Sequence, residues 1–292
     1  MTAKYATRTW IAVFLIPTVL LFIFLYAYPL VTIFATSVTR WRLGEPMSFI
    51  GFENFIRLTT DSFFTKAFSN TLKWLVLHWV VLCGTAVIVA LLTSGKQKRN
   101  RVVRSIYLLP NMIPIAVIGY LFYFIMHPTM GLFNGILSLF TAEPVTINWF
   151  QDPSTAFFAV TVTTIFYGGV FALLLSAEIA SIPGEVIESA QIDGAGPLRI
   201  RLQIILPMIR NILGTVLILA TVQCLKTFET VFLTTSGGPG KETMNLSLYT
   251  YRMGLTNSNF GYGNAISVMT ILIGIVSILV ITKLFRMDKS GY

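Results

Sequence analysis

Charge is what this sequence has least of. Only 11% of its 292 residues are Asp, Glu, Lys or Arg, whereas 55% are hydrophobic, and the mean hydropathy is +0.75. Soluble domains carry about 25% charged residues, so the composition argues against a water-soluble fold, and no stretch reads as a separate soluble domain. Cysteine is nearly missing too. Cys83 and Cys224 both sit in apolar stretches, as small core residues rather than a disulfide or a metal site. His78 and His127 have no carboxylate at ligand spacing, which leaves no metal site to propose. There is no G-x-x-x-x-G-K-[ST] loop to cradle nucleotide phosphates and no G-x-S-x-G elbow to present a nucleophile. Low-complexity segments are absent, and so are the matching halves of an inverted-repeat transporter. No cofactor is expected.

What remains is apolar sequence in long runs. A helix needs about 20 apolar residues to cross the hydrocarbon core of a bilayer. Six runs qualify: Ile11 to Phe34, the stretch between Lys73 and Lys96, Ser105 to Met126, the stretch between Asp152 and Glu178, Arg210 to Leu233, and Ala265 to Thr282. They are too long and too continuous for barrel strands, so the expected fold is all-α, a polytopic membrane protein with six transmembrane helices. Lys4 and Arg8 precede the first run, as in a signal peptide. However, residues 9–39 carry no charge, far more than an h-region of about 7–15 residues, and no A-x-A signature ends them. The run therefore reads as a retained first span.

The net charge of +9 follows the spans. Thirteen of the 21 basic residues fall on one side: Lys4 and Arg8, the cluster Lys96 to Arg104, Arg199, Arg201 and Arg210, and Lys283, Arg286 and Lys289. Seven fall on the other. The positive-inside bias places both termini and the Lys96–Arg104 cluster in the cytoplasm. It makes topology, rather than nucleic acid, the reading of the charge. The organisation expected is a first span with its outer loop (1–69), a core (70–285) and a short cytoplasmic tail (286–292).

The loop at 178–207, EIASIPGEVIESAQIDGAGPLRIRLQIILP, holds more structure than a connector needs. Ser181 and Pro183 predict a helix start, Ser as the cap and Pro in the first turn. Glu185 and Glu188 lie near that N-terminus, where the helix dipole favours negative charge. Gly194 predicts a left-handed stop, and Gly196-Pro197 a second change of direction before a helix from Leu198 to Pro207. Spacing alone leaves two readings, an interfacial helix lying on lipid and a docking surface for a cytoplasmic protein. Glu185, Glu188 and Asp193 favour the second, because anionic headgroups would repel them.

Glu188-Ser189-Ala190, Asp193-Gly194-Ala195 and then Ile204, Leu206 and Pro207 resemble the EAA motif of binding-protein-dependent ABC importer permeases, E-A-A-x-x-D-G-A followed by I-x-L-P. Ser189 and Arg201 depart from it; Arg201 stands where Phe is common. Tyr28-Pro29, Gly51 to Phe55, Asn70-Thr71, Leu109-Pro110, Gly131 to Asn134, Phe228 to Thr234, Gly237 to Gly240, Gly261-Tyr262 and Ala265 to Val268 resemble the sugar-type, maltose-type branch. The resemblance implies the MetI-like fold of type I importer permeases in a bacterial inner membrane. It implies as partners a second permease subunit of different sequence, two ABC ATPase subunits and an extracytoplasmic solute-binding protein. It also implies that Glu185, Glu188, Ser189, Ala190, Asp193, Gly194, Ala195, Ile204, Leu206 and Pro207 couple to the ATPase. A carbohydrate is the implied solute, with glycerol phosphate or a related polyol ester as runner-up.

Polar groups within spans mark a solute path. Asn111 lies between Pro110 and Pro114, where a proline kink can expose carbonyls. Tyr167 offers a stacking surface. Gln223, Lys226 and Glu229 lie on the fifth span, the last two three residues apart, so they either line the path or pair on one helix face. Two other classes stand against a permease: an ion-coupled secondary transporter, which wants buried acids that these spans nearly lack, and a membrane enzyme or scaffold.

Overall fold

The computed structural model describes residues 13–95 and 97–287. Lys4, Arg8, Lys96 and Lys289, the start of the first span and most of the expected tail lie outside them. Among the described residues, five helices have the length and apolarity to cross a membrane: Val13–Ser37, Ser62–Leu92, Ala156–Ser181, Arg210–Thr234 and Phe260–Phe285. A bent pair, Lys98–Met112 followed by Ile115–Ile125 at 97°, makes six when the pair is taken as one span. The described residues are helical apart from loops, one ribbon, Thr39–Arg40 against Ser48–Phe49, and a single bridge between Arg42 and Asn259.

The bend falls where the prolines beside Asn111 allow a kink, and it is sharp enough to break the helix. Ile113 precedes Pro114, and the proline ring disfavours helical ψ in the residue before it. Ile113 is accordingly extended (φ −95°, ψ 131°), and the helix restarts beyond Pro114. Proline marks two milder irregularities as well. Wide π-type turns occupy Ile23–Ala27, just before Pro29, and Ile200–Ile205, just before Pro207. A proline has no N–H to give to the preceding turn, and the chain widens there.

Residues 1–61 and 250–269 form one compact unit and residues 62–249 and 270–292 another. In the first unit, buried Asn54 donates to the carbonyls of Ser37 (2.8 Å) and Thr39 (2.9 Å), tying the helix Glu53–Thr60 to the end of the first span. Tyr262 donates to Asp61 (2.6 Å) and lies under the Arg57 guanidinium, 4.5 Å from the ring centre. The Gly51–Phe55 and Gly261-Tyr262 motifs are therefore parts of one clasp.

In the second unit, small residues let helices approach closely, as membrane packing requires. Ala86 and Ala90 of the second span, Ala172 and Leu175 of the fourth, and Val216 and Ala220 of the fifth share one buried cluster. Threonines satisfy polar groups within it. Thr161 and Thr221 bond back to carbonyls four residues earlier and accept the indole N–H groups of Trp74 (2.8 Å) and Trp79 (2.9 Å). Loops between the spans are stapled by buried asparagines. Asn70 donates to the carbonyls of Glu242 (2.7 Å) and Met244 (2.9 Å), and Asn134 to those of Pro128 and Ile147 (both 2.9 Å). Asn245 closes back on Thr227, and Lys66 pairs with Glu242. In the loop before the fourth span the N–H and hydroxyl of Ser154 hold the Asp152 carboxyl below its ordinary pKa. Cys83 and Cys224 are buried and unpaired.

Candidate functional site

The loop between the fourth and fifth spans folds nearly as its residues predict. A helix covers Gly184–Ile192, with Glu185 in its first turn. Its start differs from expectation. Ser181 still belongs to the fourth span, where its hydroxyl turns back to the Glu178 carbonyl (2.7 Å), so it caps nothing; Pro183 occupies the cap position without a side-chain bond. The helix end matches expectation. Gly194 is left-handed (φ +78°), Ala195 N–H reaches the Ala190 carbonyl (2.9 Å) and Gly194 N–H the Gln191 carbonyl (3.0 Å). These two bonds are a Schellman cap, which satisfies the last carbonyls and reverses the chain. Gly196 then leads into a helical stretch from Pro197, whose π turn puts Ile200 and Ile205 on the buried side.

The loop rests on the second unit's core through Ala190, Ile200 and Ile205, with Ile187, Ala195, Ile204 and Leu206 packed partly against it. Its other face is open. Glu185, Glu188, Ser189, Asp193 and Pro207 are exposed, and no ion pair with a described residue engages the three acids. Ile192 (86% exposed) and Leu198 (67%) stand beside them in the open. Exposed apolar side chains next to carboxylates that no described residue pairs have the make-up of an interface. Arg201, half-buried, lines a cavity of about 460 Å³ behind the loop together with Arg99 and Gln191.

A second cavity of about 240 Å³ brings four expected path residues together. Tyr167, Gln223, Lys226 and Glu229 line it with His78, Thr164 and Phe228. It lies where helices break. The fifth span stops at Leu225 and resumes at Glu229, so Lys226 and Glu229 no longer share a regular helix face, and no ion pair joins them. The pairing allowed by their spacing is corrected on this point. The fourth span breaks at Phe166–Gly168, with Tyr167 outside helical geometry (φ −89°, ψ 22°).

Asn111 is not in that lining. Its amide donates to the Tyr167 carbonyl (3.1 Å) and accepts from Gly169 N–H (3.0 Å), bridging the break in the fourth span. The Tyr167 hydroxyl returns the favour to the third span's break by donating to the Ile113 carbonyl (3.1 Å). Irregular backbone at membrane depth survives only where such partners replace water. The lining residue passed over in the sequence was His78, weighed only as a metal ligand. Its position inside an apolar span was the available signal. The ring's Nδ1 lies 2.8 Å from the Trp74 carbonyl.

Residues 84–287 match the family described as binding-protein-dependent transport system inner membrane component. The trehalose/maltose transport system permease protein MalF of Thermococcus litoralis is 31% identical over 244 residues, 82% of this chain and 81% of that one. The sulfoquinovosyl glycerol transport system permease protein SmoG of Agrobacterium fabrum is 29% identical over 277 residues, 93% of this chain and 89% of that one. In fold the chain is similar to a subunit in the crystal structure of a bacterial ABC transporter that imports the acidic polysaccharide alginate. The TM-score is 0.85 at 24% identity, with 99% of each chain covered. With the family matched over more than half its length and the fold shared end to end, the chain belongs to the inner membrane components of binding-protein-dependent transport systems.

Proposed function

We propose that this chain forms, with a second permease subunit, the translocation path of an ABC importer for a carbohydrate. Both termini and the 178–207 loop face the cytoplasm, where two separate ATPase subunits hydrolyse ATP; a solute-binding protein delivers the solute from outside. The observation that carries the reading is the Gly184–Ile192 helix, anchored by Ala190, stopped by a Schellman cap and presenting unpaired Glu185 and Glu188. A short helix packed on the core through Ile187 and Ala190 and stopped by a Schellman cap transmits a push without absorbing it, as rigid-body gating requires. Glu188 would meet a basic group on the ATPase. The cavity at the breaks in spans four and five, with Gln223, Lys226, Glu229 and Tyr167, would lie on the solute path, and Asn111 would hold its wall. The carbohydrate class rests on relatives named for trehalose/maltose and for sulfoquinovosyl glycerol.

The test is uptake by proteoliposomes holding the full complex, with the cognate binding protein outside, ATP inside, and a panel of mono- and oligosaccharides plus glycerol phosphate. Uptake of a saccharide that needs both ATP and the binding protein supports the reading. Uptake of glycerol phosphate alone replaces the solute class. Uptake without ATP but with an ion gradient overturns the mechanism.

A further inference from the structure

The Lys98–Leu108 helix begins with Lys98, Arg99 and Arg101 and has no acid in its first turn. That is the wrong sign for a helix N-terminus, whose dipole disfavours positive charge. The positive-inside rule accounts for the charge on this side of the bilayer but not for where the side chains lie. Arg101 and Arg104 line a cavity of about 280 Å³, with Ser105 and Leu108 on their own helix and Ala172 and Leu173 on the fourth span. Gly169 lies at its edge, where an added Cβ would come within 2.7 Å of Leu108 Cα, so the two helices are pressed together there. In its lining, Leu173 is apolar and exposed. No ion pair with a described residue engages either arginine.

We infer that this cavity holds an anionic phospholipid of the cytoplasmic leaflet. The headgroup phosphate sits between Arg101 and Arg104, with Ser105 as a further donor. One acyl chain lies along Leu108, Ala172 and Leu173. Each part of the lipid meets its own chemistry. Guanidinium pairs bind phosphate through forked hydrogen bonds, the apolar wall of Leu108, Ala172 and Leu173 suits a chain, and the anion offsets the charge–dipole conflict. Basic pockets between spans on the cytoplasmic side have the character that such lipids recognise. The inference rests on the inward orientation of this loop.

Native mass spectrometry of the delipidated full chain, titrated with phosphatidylglycerol or phosphatidylcholine, tests it. Retention of phosphatidylglycerol over phosphatidylcholine is expected, and R101Q/R104Q should weaken phosphatidylglycerol retention by about 30-fold, about fivefold per arginine. Leu173→Trp, which fills the cavity without changing charge, should weaken it too. Lys283→Gln with Arg286→Gln removes as much charge elsewhere on the same side and should leave it unchanged. Equal loss in that control, or equal retention of both lipids, overturns the site. If R101Q/R104Q spares lipid retention but weakens co-purification of the ATPase subunits, the cavity belongs to a protein partner and the inference fails. Lys98→Cys, labelled by an impermeant maleimide in oriented vesicles, reports the orientation separately, because retention in detergent does not depend on it.

Discussion

Replacing Gly194 perturbs the 178–207 loop, proposed above to couple to the ATPase, through its backbone alone. The residue stands at φ +78°, and no atom lies within 4 Å of where a Cβ would be. A side chain therefore has room, and the cost is that of the left-handed conformation, about 1–2 kcal/mol for an ordinary L-residue. Asn tolerates that region, and a β-branched residue resists it most. The strain falls on the bonds Ala195 N–H to Ala190 and Gly194 N–H to Gln191, which aim the helix relative to Pro197. A penalty of that size shifts a two-state equilibrium by about 5–30-fold. Uptake and ATP hydrolysis measured together in proteoliposomes give solute moved per ATP hydrolysed. The ratio should fall by about 5-fold in Gly194→Ala, by up to about 30-fold in Gly194→Val, and least in Gly194→Asn, with assembly intact by co-purification. The ordering is the diagnostic. If Asn is as harmful as Val and Ala is harmless, side-chain bulk against the ATPase governs the loop, and the backbone argument is wrong.

Two other outcomes follow from the breaks within the spans. Asn111→Ala strands the Tyr167 carbonyl and the Gly169 N–H, at a cost of about 2 kcal/mol. The thermal midpoint of the solubilised chain should drop, and an unchanged midpoint contradicts the staple. Exchanging Lys226 and Glu229 keeps the net charge but inverts two walls of the cavity. Uptake should fall at least about tenfold, the scale of a lost charge-assisted hydrogen bond, with assembly preserved. Full uptake in the exchanged protein would mean that the two residues serve only to balance charge.

Hydropathy made the spans legible, because crossing a bilayer constrains composition over 20 residues at once. It could not show the third span's 97° bend, since the run from Ser105 to Met126 carries no charge on either side of it; the prolines around Asn111, and Ile113-Pro114 above all, carried that information. The stop at Gly194 was readable because a left-handed turn is a local demand on one residue. Ser181 was misread because its hydroxyl had a competing acceptor in the preceding span. The gap between Leu225 and Glu229 contains no glycine or proline, and Lys226, Thr227 and Phe228 gave no sign that their spacing would not be helical. The asparagines divide the same way. Asn54, Asn70 and Asn134 are motif residues of a sugar-permease type, yet what they do is bind carbonyls brought near by the fold, Asn54 at the end of the first span and the other two in loops. Their partners are distant in sequence or on irregular backbone, which spacing rules do not reach.

The claim that the Gly184–Ile192 helix docks on an ATPase is open to direct measurement. Glu188→Cys places a thiol on the exposed face, and native Cys83 and Cys224 are buried and do not compete. A maleimide–succinimide cross-linker added to the assembled transporter should join that position to a lysine of an ATPase subunit, with a yield that changes when ATP binds, while Glu53→Cys in the outer loop should give no such product. Cross-linking from Glu53→Cys, or none from Glu188→Cys in a complex that still hydrolyses ATP and transports, would contradict the account.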